Sequence, residues 1–309
     1  MSDHHHPTEA DVQRVTDLLS REEFRWFHAR SDLAGARTFL ITAAMIVAVM
    51  AVAAAWPNPL TVLLACVLLG NRMLGLAVLM HDAGHGGLFR SRALNRLVGR
   101  WICGPLVFSD LDGYARKHTR HHQSAGSPDD PDLSNYVHYA VTRDSFRRKI
   151  LRDLTLQTGV KTILGTWSVL GWPARGRIVL AQAALLALVA VLGHPWLYLL
   201  WLGSFLTSYM LIARLRQAAE HAVVPDLSDP DPRKHTRTTL ASWWERLTLA
   251  PNYVNFHLEH HLLPAVPPHK LRRLHLLLAE RGFYGEGVDI APGYRDVVSR
   301  LTVAPSATR

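Results

Sequence analysis

Residues 38–71 read TFLITAAMIVAVMAVAAAWPNPLTVLLACVLLGN, a run without one Asp, Glu, Lys or Arg. A helix that crosses a bilayer takes roughly 20 mostly apolar residues, so this run is long enough for two crossings if a turn divides it. Trp56-Pro57-Asn58-Pro59 supplies that turn, because Pro interrupts a helix more strongly than any other residue. A second charge-free block, 178–213, is divided in the same way by Gly193-His194-Pro195. The sequence therefore predicts an all-α integral membrane fold with four transmembrane helices, near 37–56, 60–80, 178–192 and 196–214, paired as two hairpins.

The chain of 309 residues has a formal charge of +9, and its placement matters more than its size. Apart from Arg72, basic residues sit before Thr38, between 81 and 177, and after Ile212, whereas neither hairpin turn carries a Lys or Arg. Positive charge favours the cytoplasmic side, which puts both termini and the long middle segment there in a multi-pass protein, most simply of the inner (plasma) membrane. Charge distributed in this way reads as membrane orientation, not as a nucleic-acid surface. The expected organisation is an N-terminal amphipathic segment 1–36, a membrane domain 37–282 whose cytoplasmic cap comprises 81–177 and 215–282, and a tail 283–309. Val12, Val15, Leu18 and Leu19 give the stretch from Thr8 to Arg30 a helical apolar stripe, which fits either a membrane surface or packing on the protein body. The polar first thirty residues lack a signal-peptide core, and His4-His5-His6 reads as a solvated tail. Cys66 and Cys103 have no metal-binding or redox spacing and read as packing residues.

Within the predicted cap lie three histidine clusters, His81-x-x-x-His85, His118-x-x-His121-His122 and His257-x-x-His260-His261. Helical residues three or four apart share a face, so each cluster can aim its imidazoles at one point. Imidazole is the common protein ligand for iron, copper, zinc and nickel. Eight such rings exceed the four ligands of a structural zinc or the three of a catalytic one. They match two metal ions with four or five nitrogens each and with positions left for oxygen. Zinc hydrolysis would call for H-E-x-x-H, but Leu258 follows His257. Arg72, a charge inside a predicted span, is open to three readings: snorkelling, pairing inside the bundle, or gripping a substrate head group.

The three clusters, their order and their flanking residues resemble the membrane fatty acid desaturase family and its hydroxylase and ketolase relatives. The resemblance rests on His81-Asp82-Ala83-Gly84-His85-Gly86, on His122 followed by Asp129-Asp130-Pro131-Asp132, and on Glu259-His260-His261-Leu262-Leu263-Pro264, and it covers roughly 38–282. It implies a di-iron centre in the cytoplasmic cap, O2 as co-substrate, and a ninth histidine after the fourth span, for which His221 is placed. Animal acyl desaturases carry an Asn four residues before that histidine; here the position is Gln217, a departure from the pattern. Metal-bound histidines usually donate their second N–H to a carboxylate or carbonyl. Asp82, Asp132, Glu220 and Glu259 are the candidates for that support, with Asp129 and Asp130 also within reach.

Hydrogen removal from an unactivated methylene needs an oxidant that side-chain acids and bases cannot supply, and O2 activated by reduced iron provides one. The resemblance thus implies an acyl-lipid desaturase, with a hydroxylase or ketolase of a carotenoid or other lipid as the alternative and a metal transporter or sensor as a distant third. The chain has neither a dinucleotide fingerprint nor an iron–sulfur cysteine set. An external donor, a ferredoxin or a cytochrome b5-like protein with its reductase, is therefore expected. Arg90, Arg92, Arg147 and Arg148 belong to a basic face that such an acidic partner, or anionic lipid, would meet.

Overall fold

The computed structural model describes residues 15–285 and 287–303. His4-His5-His6 and the first part of the predicted 8–30 helix lie outside the described residues. Four helices are long and apolar enough to cross a membrane: α2 (Asp32–Ala55), α3 (Pro59–Gly84), α8 (Trp172–Val191) and α9 (Trp196–His221). The shorter helices are α1 (Arg21–His28), α4 (92–106), α5 (Leu111–Ser124), α6 (Arg143–Leu154), α7 (Gln157–Val169), α10 (Trp243–Thr248), α11 (His257–Leu262), α12 (Pro268–Glu280) and α13 (Tyr294–Arg300).

Local chemistry sets the ends of these helices. Asn58 caps α3, its side chain accepting from the Thr61 amide at 3.1 Å, and Pro59 occupies the first turn, where no amide hydrogen is needed. Ser31 caps α2 in the same manner. Helix α3 is the axis of the bundle: 61% of its apolar window is buried, against 17% for α2. Leu40, Val47, Leu60, Leu63, Leu180, Leu188 and Leu199 stay exposed on the four long helices. An apolar surface of that extent suits lipid rather than water. Helices α3 and α9 cross where Gly70 meets Ser208. A Cβ at Gly70 would fall 2.3 Å from the Ser208 hydroxyl oxygen, which itself donates to the Cys66 carbonyl at 2.6 Å. Small residues at a crossing let two backbones approach this closely.

All four expected spans coincide with long helices, and each of these runs past its charge-free stretch at one end. Helix α3 continues past residue 80 to carry His81, and α9 continues past residue 214 to carry His221. Helix α4 includes a π-helical turn, Leu97–Cys103, and packs on α3. Helix α1 turns Phe27 into a cluster with Leu271, Leu274 and Leu278 of α12, so it packs on the protein body, the second of its two expected arrangements.

Two features correct the sequence reading. The fold is mostly helical but not all-α: β1 (Val141–Thr142) pairs in parallel with β4 (Thr302–Val303), and β2 (Arg237–Thr239) with β3 (Asp289–Ala291). Residues 289–303 are also no free tail, because β3, α13 and β4 bind them to the cap. Arg237, 1% exposed, donates to Asp289 Oδ2 at 2.7 Å and to the Val223 carbonyl at 2.6 Å, joining that segment to the end of α9. Strands of two or three residues show no alternation that a sequence could reveal.

Candidate metal centre

Nine histidines converge where the ends of α3 and α9 meet α5 and α11, and they form two groups. His81, His85, His118, His122 and His260 make one; His121, His221, His257 and His261 make the other. Within each group the ligand nitrogens lie within 4.8 Å of one another. The groups cut across the sequence clusters. Neighbouring helical positions are about 100° apart, so His121 and His122 face different centres, as do His260 and His261.

The contacts inside each group are short. His118 Nε2 lies 2.8 Å from His81 Nε2 and 2.9 Å from His122 Nε2, which is 3.0 Å from His260 Nε2. In the other group His257 Nε2 and His221 Nε2 are 2.9 Å apart. His221 Nδ1 donates to the His235 carbonyl at 3.0 Å, and His257 Nδ1 is 3.3 Å from Glu220 Oε1. A neutral imidazole that donates through Nδ1 presents a lone pair at Nε2. His221 thus presents its Nε2 lone pair to His257 Nε2 across 2.9 Å, a spacing that an ion held between the two rings would also give. Nitrogens at right angles around one ion, each about 2.1 Å from it, are about 3 Å apart, which matches these spacings. His85 Nε2 and His261 Nε2 are buried without a hydrogen-bond partner among the described residues, again as a metal ligand would be. The donor set fits two ions.

Electrostatics agrees. Burial holds His118, His257, His260 and His261 well below the usual histidine range, and the neighbouring imidazoles push in the same direction. Burial takes His85 down to about 4; burial and then the His85 ring take His122 down to about 3. Rings kept neutral in this way are ready to bind metal.

The supporting carboxylates differ in part from expectation. Asp82 accepts from His81 Nδ1 at 2.8 Å, and Glu220, besides its contact with His257, pairs with Arg216 at 2.5 Å. Asp132 does not reach a histidine; it bonds Lys117 at 2.6 Å. Asp130 takes that place, accepting from His121 Nδ1 at 2.8 Å and from the Tyr136 hydroxyl. Burial pushes the Asp130 carboxyl up, but the His121, Tyr136 and Asp132-amide hydrogen bonds outweigh it and bring it down to about 2. Glu259 also misses the metal-site rings, accepting instead from His275 Nδ1 at 2.7 Å and from Tyr284 and Thr238. Gln217 lines a cavity of about 240 Å³ beside His121, His221 and His257. Arg216, the His235 carbonyl and two aromatic rings complete the site. Tyr136 stacks on His221 with centroids 4.8 Å apart, and Tyr114 on His118 at 5.4 Å. No sequence spacing announced these.

Comparison with known proteins follows the same lines. The sequence model of the fatty acid desaturase family matches residues 54–289. The dihydrorhizobitoxine desaturase of Bradyrhizobium elkanii is 26% identical over 253 residues, covering 75% of this chain and 70% of that protein. The sn-1 oleoyl-lipid 12-desaturase of Anabaena variabilis is 23% identical over 240 residues, 68% and 66% of the two chains. A beta-carotene ketolase from a Paracoccus species is 28% identical over 199 residues, 62% and 70% of the two chains.

Proposed function

Because this chain belongs to the fatty acid desaturase family, we propose that it is an O2-dependent di-iron enzyme that introduces a double bond into an acyl lipid. The chain is a membrane oxidoreductase of that family. The observation that carries the proposal is the pair of histidine groups, each with its ring nitrogens gathered within 4.8 Å of one another. His81, His85, His118, His122 and His260 would hold one iron; His121, His221, His257 and His261 would hold the other. When bound, the iron pair supplies the oxygen-activating, hydrogen-abstracting chemistry that no side chain has.

The chain's own residues do the positioning. Asp82, Asp130, Glu220 and the His235 carbonyl face the Nδ1 atoms of four rings and so fix which nitrogen faces the ion. Helix α3 runs from the apolar bundle directly into the site, so a chain lying along it is led toward His81. We place the four long helices in the membrane as two hairpins with the site and termini on the cytoplasmic side, in accord with the distribution of Lys and Arg. The catalytic domain then comprises 37–303, since β3, α13 and β4 belong with the cap. Electrons come from an external ferredoxin or cytochrome b5-like donor at the basic cytoplasmic face.

A second reading, oxygenation of a carotenoid, is favoured by the similarity to a beta-carotene ketolase. Expression in a host that makes neither product, with acyl chains and pigments measured by mass spectrometry, decides between them. New acyl double bonds support the desaturase. Oxygenated pigments with unchanged acyl chains would show the proposal to be wrong, and active protein free of iron would remove its basis.

A further inference from the structure

Beside the metal centre is a cavity of about 450 Å³ between α2, α3 and α10. Arg72 forms its floor at 5% exposure; Arg37 and Arg246 stand exposed at its mouth, with His269 nearby. No Asp or Glu lines it. Arg72 reaches Met45 Sδ at 3.2 Å, the Arg246 carbonyl at 3.2 Å and Asn71 Oδ1, all neutral groups, and no carboxylate pairs with it among the described residues. A guanidinium buried among apolar helices without a counter-ion is costly unless an anion joins it.

Asn252 and Tyr253 also form the wall between this cavity and a slit of about 20 Å³ lined by Val78, Phe256, Leu271, His81, His257 and His260. Both residues hold left-handed backbone, with φ of 54° and 64°. Such residues persist only where their surroundings hold them, and they gather at ligand sites. Here Asn252 Nδ2 donates to the Gly75 carbonyl at 3.0 Å, fixing the turn against α3. Arg72 precedes His81 by nine residues on one helix, about 13 Å at the usual rise.

We propose that this cavity seats the anionic head of the substrate, a long-chain amphiphile bearing a carboxylate or phosphate, with its apolar chain directed past Asn252 and Tyr253 toward the histidines. The inference rests on the family function proposed above and narrows its substrate class: a neutral pigment has nothing to offer Arg72. Arg72 and Arg246 are binding residues, and they set which end of the chain enters.

The test is equilibrium binding to purified, iron-loaded protein in neutral-lipid nanodiscs, with three probes: a long-chain fatty acid, its methyl ester, and a lysophosphatidic acid of the same chain. At least one of the two anions is expected to bind at least about tenfold tighter than the ester, as suits charge-assisted hydrogen bonds. Which one binds better identifies the head group. Arg72→Met and, separately, Arg246→Gln should lose that preference while retaining affinity for the ester; the second variant decides if the first fails to fold. A purely structural Arg72 would leave the preference intact. Equal binding of ester and anions to the parent protein overturns the inference. Iron content, measured on the same samples, separates the two ideas. Bound iron without anion preference removes the head-group site and leaves the enzyme; anion preference without iron does the reverse.

Discussion

The two histidine groups differ in how they are held. In the four-ring group three Nδ1 atoms face protein oxygens, those of Asp130, Glu220 and His235. In the five-ring group only His81 has such a carboxylate, Asp82; additional rings and close packing do the rest. One group has protein oxygens at three of its four rings, the other at one of its five. A site short of ligands depends on the orientation of each ring, whereas a site with an extra ring tolerates imprecision in one.

Removal of a ring is the largest perturbation. His261→Ala should abolish turnover and reduce bound iron by about half, the remainder staying in the five-ring group, because ligand loss acts directly on metal affinity. Metal analysis of the purified variant checks this; loss of both ions would mean that the groups do not bind independently. The supporting acids give the next largest effect. Asp130→Asn should weaken iron at the four-ring group by about 10–100-fold, and Asp82→Asn should weaken the five-ring group less. Iron(II) titration of each variant measures the two, and equal losses would erase the contrast drawn above.

Acid should affect the metal-free protein in a definite direction. An unfolded histidine protonates near 6.5, while His85 and His122, lowered chiefly by burial, wait until about 4 and 3. The unfolded chain therefore takes up protons first as pH falls. Stability is fully present above about pH 6.5 and is lost progressively toward about pH 3. Denaturation of chelated protein at pH 7.5 and 5 should show the decline, and iron should offset it by keeping the rings neutral. The smallest effect belongs to Asp132→Ala. Its partner Lys117 is half exposed, and such pairs contribute about 0–1 kcal/mol. Melting temperature and iron content should scarcely change.

That last contrast shows what a sequence can reveal here. The three clusters were legible because helical spacing alone brings such rings to one side, and the spans because 34 uncharged residues in a row have few other uses. Asp130 and Asp132 were not separable by rule: both lie in a Ser-, Gly- and Pro-rich loop, and only its turns decide which carboxylate points at His121. Glu259 lies between His257 and His260 in sequence but on the opposite side of α11, so proximity in sequence misled. The oxygen on His221 is a backbone carbonyl, which no residue type encodes.

The strand pair joining Arg237–Thr239 to Asp289–Ala291 has a consequence for biogenesis. Thr238 of that pair donates to Glu259, on the helix that carries His257, His260 and His261. The scaffold behind those rings is thus complete only after residue 291 has left the ribosome. On the proposed di-iron reading, both groups take rings from that helix, so metal loading would follow synthesis, and a chain terminated early would carry its long helices without an assembled site.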